Sequence, residues 1–247
     1  MPIAPDFKSI YSREWEINFM QCTPNGYLSY TELCNLLQLT AASHSESGGF
    51  SFVDMQQFDQ AWVLSRMRLE IAQMPKWKDV VTVKTWINTL ENSRSVRALE
   101  VYVNGKKYVG AETFWAVFNT RTRRPESMAL PHDHCEKYAD MRATLVPFSK
   151  VAIDQAQSLV FERTVMLSDL DIVNHVNNVK YLEWCMDLVD EEVILQQKII
   201  NFDMNFLKEL SLKDRVQIYT SQTQNSMSFS INKESKAVFA LTFSISK

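Results

Sequence analysis

Residues 78–85 read KDVVTVKT, and residues 213–220 read KDRVQIYT. Both fit K-D-x-V-x-[VI]-x-T, an alternation that suits a strand with one buried face. A second echo follows each copy at a similar distance, AETF at 111–114 and ALTF at 240–243. Two short matches in the same order point to an internal repeat, which governs how every other element is read.

Helical spacing precedes both copies. In the first half Leu33, Leu36, Leu37, Thr40, Ala41 and His44 share a face, with Glu32, Asn35 and Gln38 opposite, and Gly48-Gly49 ends the run. In the second, Val179, Leu182, Met186, Val189 and Val193 form the stripe against Lys180, Glu183, Asp187 and Asp190. Strand-like runs follow at 60–71, 80–88, 95–103 and 108–119, and again at 199–206, 215–222, 227–231 and 237–245. Asn104-Gly105 is a strong signal for a two-residue hairpin. The pattern predicts an α+β tandem duplication. Each half is a long helix, preceded by one short strand, with a curved antiparallel sheet that buries one face around it. Residues 125–157 hold Pro125, Pro131 and Pro147 with little periodicity and read as the connection. The expected division is 1–140, a connector at 141–157, and 158–247.

Composition narrows the classes. In 247 residues, 46% are hydrophobic and 22% charged, ordinary values for a chain with a sizeable core. A net charge of −3 gives no global pull toward nucleic acid or anionic lipid. No apolar run approaches the roughly 18 residues of a membrane span, and no signal peptide is visible. Cys22, Cys34, Cys135 and Cys185 are scattered, which suits reduced thiols and a cytoplasmic location.

The densest chemistry lies at 169–178, DLDIVNHVNN, with two Asp, three Asn and one His at the start of the second helix. Asn177 or Asn178 is a natural N-cap. Amides and the positive dipole end there suit negative charge developing on an acyl oxygen, with Asp171, Asn174 and His175 beside it. A plain Asx-rich capping turn would show the same composition. The approach to the first helix, CTPNGYLSYTEL, carries no His or Asp, so capping alone does not require them. Function is expected in the second half only.

DLDIVNHVNNVKYLEW (169–184) resembles the signature of the acyl-acyl-carrier-protein thioesterases, tandem hotdog enzymes of plant plastids and many bacteria. AWVLSRMRLEIAQMPKWKDVVTVKTW (61–86) and FWAVFNTRTRRPESM (114–128) resemble segments of their first half. The resemblance implies a double hotdog that hydrolyses the thioester of fatty acyl carrier protein without a cofactor. Asp171 and His175 fall on the Asp and His of the family motif D-x-N-x-H-V-N-N, and Asn177 and Asn178 on its closing pair. Val173 stands where the motif has its central Asn. Either Asn174, one place later, takes over that role through a small backbone shift, or the role is missing. In NFLKELSLKDRV (205–216) Glu209 matches a family Glu placed on a strand, and Leu210 stands where a nucleophilic Cys was once assigned. That leaves water attack assisted by carboxylate and imidazole. Glu209 is the expected base, Asp171 orients or deprotonates, His175 hydrogen-bonds substrate or water, and amides from Val176 to Asn178 hold the acyl oxygen. The resemblance also places Leu33, Leu37 and Ala41 along an acyl tunnel. Arg121, Arg123 and Arg124 read as a solvated strand end or as a docking patch for acyl carrier protein.

Other features carry blander readings. His132-Asp133-His134-Cys135 lacks a second donor cluster at ligand spacing, so no metal is expected. His44 reads as a helix-end or core contact, Cys185 as core, and Trp62, Trp77, Trp86 and Trp115 as core. The rival functions are an acyl-CoA thioesterase on the same scaffold and a non-catalytic acyl-binding or regulatory protein. A homodimer is compatible with all three.

Overall fold

The computed structural model describes residues 3–154 and 156–246. The chain forms two compact units, one up to Ser65 with Ala72–Pro147, the other Arg66–Ile71 with the chain from Phe148 onward.

In the first unit β1 (Ile10–Glu16) passes through a 3-10 turn (Phe19–Gln21) into α1 (Tyr30–Ser47) and a short α2 (Phe52–Gln56). Then come β2 (Gln60–Ile71), whose last six residues belong to the second unit, β3 (Val80–Glu91), β4 (Arg94–Val103) and β5 (Lys106–Asn119), with two-residue β6 (Arg124–Pro125) folded back on β5. The order β1-β3-β4-β5 is antiparallel throughout. Asn104 and Gly105 have φ of 49° and 76°, the left-handed pair that lets a two-residue turn follow the strand twist. Ser29 caps α1 by accepting the Glu32 N–H at 3.2 Å. The face carrying Leu33, Leu36, Leu37, Ala41 and His44 is sealed, and α1 packs on β1 and β3.

In the second unit β7 (Ser158–Thr164) leads through another 3-10 turn (Leu167–Asp169) to α3 (Asn178–Met186) and α4 (Glu191–Leu195). β8 (Ile199–Phe206), β9 (Arg215–Gln222), β10 (Ser226–Lys233) and β11 (Lys236–Ile245) follow. Residues 66–71 of β2 pair with β8, and the order runs on through β11, β10, β9 and β7, all antiparallel. Phe202, Phe229, Phe239 and Phe243 are fully buried with Leu182 and Cys185 of α3. Each such ring contributes roughly 1.5–3 kcal/mol by leaving water.

Two expectations need correction here. The second helix is not long: α3 spans nine residues, and its C-cap Asp187 donates its amide to Glu183. Asp190 then caps α4 by accepting the Glu192 N–H at 2.8 Å. The apolar stripe ran through this break because Val189 stays buried although it is not helical. Trp77 is not core. It is 50% exposed in the turn before β3, edge-on to Phe19 with Lys78 Nζ 4.7 Å above its ring.

The connection is pinned rather than loose. In the first unit the Met141 carbonyl accepts from Trp86 Nε1 at 2.9 Å and Asn88 Nδ2 at 2.7 Å, and Arg142 pairs with buried Glu112. Gly110 leaves room for it, since a Cβ there would stand 2.0 Å from the Ala143 carbonyl oxygen. In the second unit Asn205 accepts the Val151 N–H at 2.8 Å and donates to the Ser149 carbonyl at 3.2 Å.

Candidate active site

The approach to α3 is a small closed loop. Asp171 N–H donates to the His175 carbonyl at 2.8 Å and Asn174 N–H to the Asp171 carbonyl at 3.1 Å, with a bridge between Leu170 and Val176. Asn174 takes φ of 69°, a left-handed value that Asn tolerates better than most residues. Asp171 Oδ1 accepts the Val173 and His175 amides at 3.0 and 3.3 Å, so this carboxylate is turned into its own loop. Asn177 is the N-cap, accepting the Val179 N–H at 3.0 Å.

The first unit builds the same loop from other residues. Thr23 N–H donates to Tyr27 at 2.8 Å, Gly26 N–H donates to Thr23 at 2.8 Å, and Cys22 bridges Leu28. Gly26 has φ of 80° where Asn174 has its positive φ. Leu28 N–H donates to Pro75 as Val176 N–H does to Leu210, both at 2.9 Å. By this correspondence Thr23, Tyr27 and Met74 stand where Asp171, His175 and Glu209 stand.

Glu209 comes to the loop from far along the chain. It lies in the segment between β8 and β9, not on a strand as expected. Leu207 and Lys208 both donate to the Val238 carbonyl as the chain leaves the ladder, and Leu210 turns to accept Val176. This sets Glu209 Oε2 3.6 Å from His175 Nε2, with both side chains about one-third exposed. An imidazole and a carboxylate at that separation can share a water or a polar substrate group. Ile172 and Val173, at 92% and 37% exposure, flank the loop tip.

The amides expected to hold an acyl oxygen are partly spent. Val176 donates to Leu210 and Asn177 to the Asp169 carbonyl, which narrows that expectation to Asn178, the first residue of α3. Sequence reasoning also missed the brace of the loop. Arg163 Nη2 donates to both Asp169 oxygens at 3.1 Å, and Asp169 accepts the Met166 N–H at 2.7 Å. The Asp three residues after Met166 was a readable turn signal; the Arg on the preceding strand was not.

The remaining candidates lie in the first unit, apart from Cys185. Leu33, Leu37 and Ala41 are packed in its core at 8% exposure or less. Arg121, Arg123 and Arg124 are all exposed on the β5–β6 turn, with Arg121 2.9 Å from Asp59. His44 is sealed between Phe7 and Tyr11, with Arg97 Nη1 donating to Nδ1 and Nε2 bonded to the Lys8 carbonyl. Burial and the Arg97 charge push its pKa down to about 3. His132 and His134 each spend a ring nitrogen on a backbone carbonyl, of Leu130 and Gly48. No cluster of three or more potential metal donors occurs among the described residues. Cys185 is fully buried, and desolvation raises its pKa, so it is not poised as a nucleophile.

Comparison with known proteins shows the family. Residues 8–138 match the acyl-ACP thioesterase N-terminal domain, and residues 153–242 the acyl-ACP thioesterase C-terminal domain. The chain belongs to the acyl-ACP thioesterase family. Among relatives, it is 25% identical to the chloroplastic oleoyl-acyl carrier protein thioesterase 1 of Arabidopsis thaliana, over 86% of this chain and 64% of that protein. It therefore spans just under two thirds of that relative's length. Among solved structures, an acyl-ACP thioesterase from Bacteroides thetaiotaomicron is similar at TM-score 0.88 and 25% identity, covering 96% of this chain and 97% of that one. The 12:0-ACP thioesterase of Umbellularia californica shares the fold at TM-score 0.82 and 21% identity, over 96% of each chain. This acyl-ACP thioesterase family member is a double hotdog, as its repeat predicts.

Proposed function

We propose that the protein hydrolyses the thioester of fatty acyl carrier protein, releasing free fatty acid and the carrier thiol. The observation that carries this reading is the His175–Glu209 pair, 3.6 Å apart beside the start of α3, in a loop whose first-unit counterpart has neither group. Glu209 takes a proton from water as the water attacks the acyl carbon. As the C–S bond breaks, the Glu209 carboxylic acid returns that proton to the departing sulfur, and His175 hydrogen-bonds the water or the sulfur. The Asn178 amide, with the positive end of α3, stabilises the oxygen of the tetrahedral intermediate. Asp171 keeps the loop and the His175 backbone in place through its two accepted amides. Asn174 shapes the left-handed turn, with its exposed carboxamide available to substrate. A general base contributes about 10² to 10⁴-fold and one oxyanion donor about 10² to 10³-fold, so both are needed.

We assign the acyl chain to the core around Leu33, Leu37 and Ala41, and the carrier protein's acidic surface to Arg121, Arg123 and Arg124. We place the reaction in the cytoplasm, a reading supported by four free cysteines. No helix among the described residues is long and apolar enough to cross a membrane. The test gives purified protein acyl carrier protein and acyl-CoA thioesters of matched chain length. A kcat/KM clearly higher for the carrier-protein substrates is expected. Equal or better use of acyl-CoA would make it an acyl-CoA thioesterase, and binding without turnover would make it a non-catalytic acyl-binding protein.

A further inference from the structure

Arg163, on β7, ties three elements of the second unit together. Its Nη2 donates to both carboxylate oxygens of Asp169 at 3.1 Å, and Asp169 is buried at 4% exposure. Its guanidinium lies over the ring of buried Trp184 in α3, 4.0 Å from the centroid. Asp169 is where the loop before α3 closes. Its Oδ2 accepts the Met166 N–H at 2.7 Å, and its carbonyl accepts the N–H of the helix cap Asn177 at 2.9 Å. The next rungs are the Leu170–Val176 bridge and the Asp171 N–H to the His175 carbonyl at 2.8 Å. The clamped carboxylate thus stands two rungs from the histidine that faces Glu209.

The first unit closes the same ladder without an ion pair. Gln21 takes the place of Asp169: its Oε1 accepts the Asn18 N–H at 3.1 Å, and its carbonyl accepts the Ser29 N–H at 2.9 Å. Trp15 and Leu36 take the places of Arg163 and Trp184. A neutral side chain therefore suffices to fold this turn. A largely buried guanidinium–carboxylate pair is a poor source of stability, because desolvation offsets much of the attraction. What it adds is geometry, since a planar guanidinium held between a carboxylate and an aromatic face fixes direction as well as distance.

We propose that Arg163 is a positioning residue that, through Asp169 and Trp184, holds the 169–177 ladder so that His175 is presented to Glu209. This deepens the hydrolase reading and rests on it.

Arg163→Met with Asp169→Asn removes both charges together, so neither is left buried alone, and keeps an acceptor for the Met166 amide. On acyl carrier protein thioester its kcat should fall roughly ten- to hundredfold, the scale of a modest misplacement of a reacting group. KM should change little, and the acidic limb of the pH–rate profile should move. Arg163→Lys keeps the charge without the planar fork and should lose about tenfold in kcat. Either variant, assayed below its melting temperature, that keeps wild-type kcat and an unmoved limb would assign the pair to stability and overturn the proposal. A rise in KM at unchanged kcat would assign it to substrate binding and overturn it as well. A wild-type protein inactive on every thioester would overturn the hydrolase reading itself.

Discussion

The loops before α1 and α3 have one backbone and two chemistries. Both make the same hydrogen bonds, both carry a left-handed residue at the same point, and both end in a side-chain N-cap. Around that shared frame Thr23, Tyr27, Leu33 and Met74 in one unit stand where Asp171, His175, Tyr181 and Glu209 stand in the other. The difference separates what the fold requires from what it does not. Capping and loop closure are served by either set, so the titratable set is surplus to folding, which supports the proposed site. The hairpins show the converse. Asn104-Gly105 suits its left-handed turn, whereas Glu234 and Ser235, at φ of 49° and 61°, occupy the matching turn with residues that strain there.

The largest effect should come from giving the second unit's site the residue of the first unit. Glu209→Met, or the gentler Glu209→Gln, should lower kcat about 10² to 10⁴-fold and abolish the acidic limb of the pH–rate profile. Asp171→Asn should also slow turnover but keep the limb, since the proposed mechanism gives Asp171 an orienting role. If the two variants exchange these behaviours when kcat is followed against pH, Asp171 is the base.

Acid should expose a second contrast, because only the longer helix α1 ends in a buried histidine. His44 has a folded pKa of about 3, below its unfolded value of about 6.5. The unfolded chain therefore binds more protons between those values. The stability from neutral His44 is complete above pH 6.5 and is lost as pH falls toward 3, at up to about 1.4 kcal/mol per pH unit. Thermal melts from pH 7 to 4 should show this slope in the wild type and a shallower one in His44→Gln. An equal slope would assign the acid sensitivity elsewhere.

The hairpins predict a smaller change of opposite sign. Glu234→Asn with Ser235→Gly should raise stability by about 1 kcal/mol, and Gly105→Ala should lower it by about 1–2 kcal/mol, both read from denaturant midpoints. If the first pair has no effect, the strain at 234–235 is relieved by neighbouring contacts.

The smallest effect concerns the exposed arginines. Neutralising Arg121, Arg123 and Arg124 together should raise KM for acyl carrier protein substrate a few-fold and flatten its salt dependence, with no change on a short neutral thioester. Stability should hardly change, because the Arg121–Asp59 pair is largely in water. An equal shift on both substrates would make the cluster structural.

The amino-acid sequence alone determined the duplication, most strand positions, the Asn104-Gly105 hairpin and an Asn cap at the start of the second helix. These features rest on periodicity, capping and turn geometry among residues a few positions apart, and such local rules can be read from spacing. Only the tertiary structure decided what meets across the chain. It moved Glu209 off its strand and up to His175, and spent the Val176 and Asn177 amides on other carbonyls. It also buried Arg68 against Asp203, 135 residues away. A buried amide, carboxylate or guanidinium must find a partner, and sheet register together with chain crossing, not spacing, determines which one it finds.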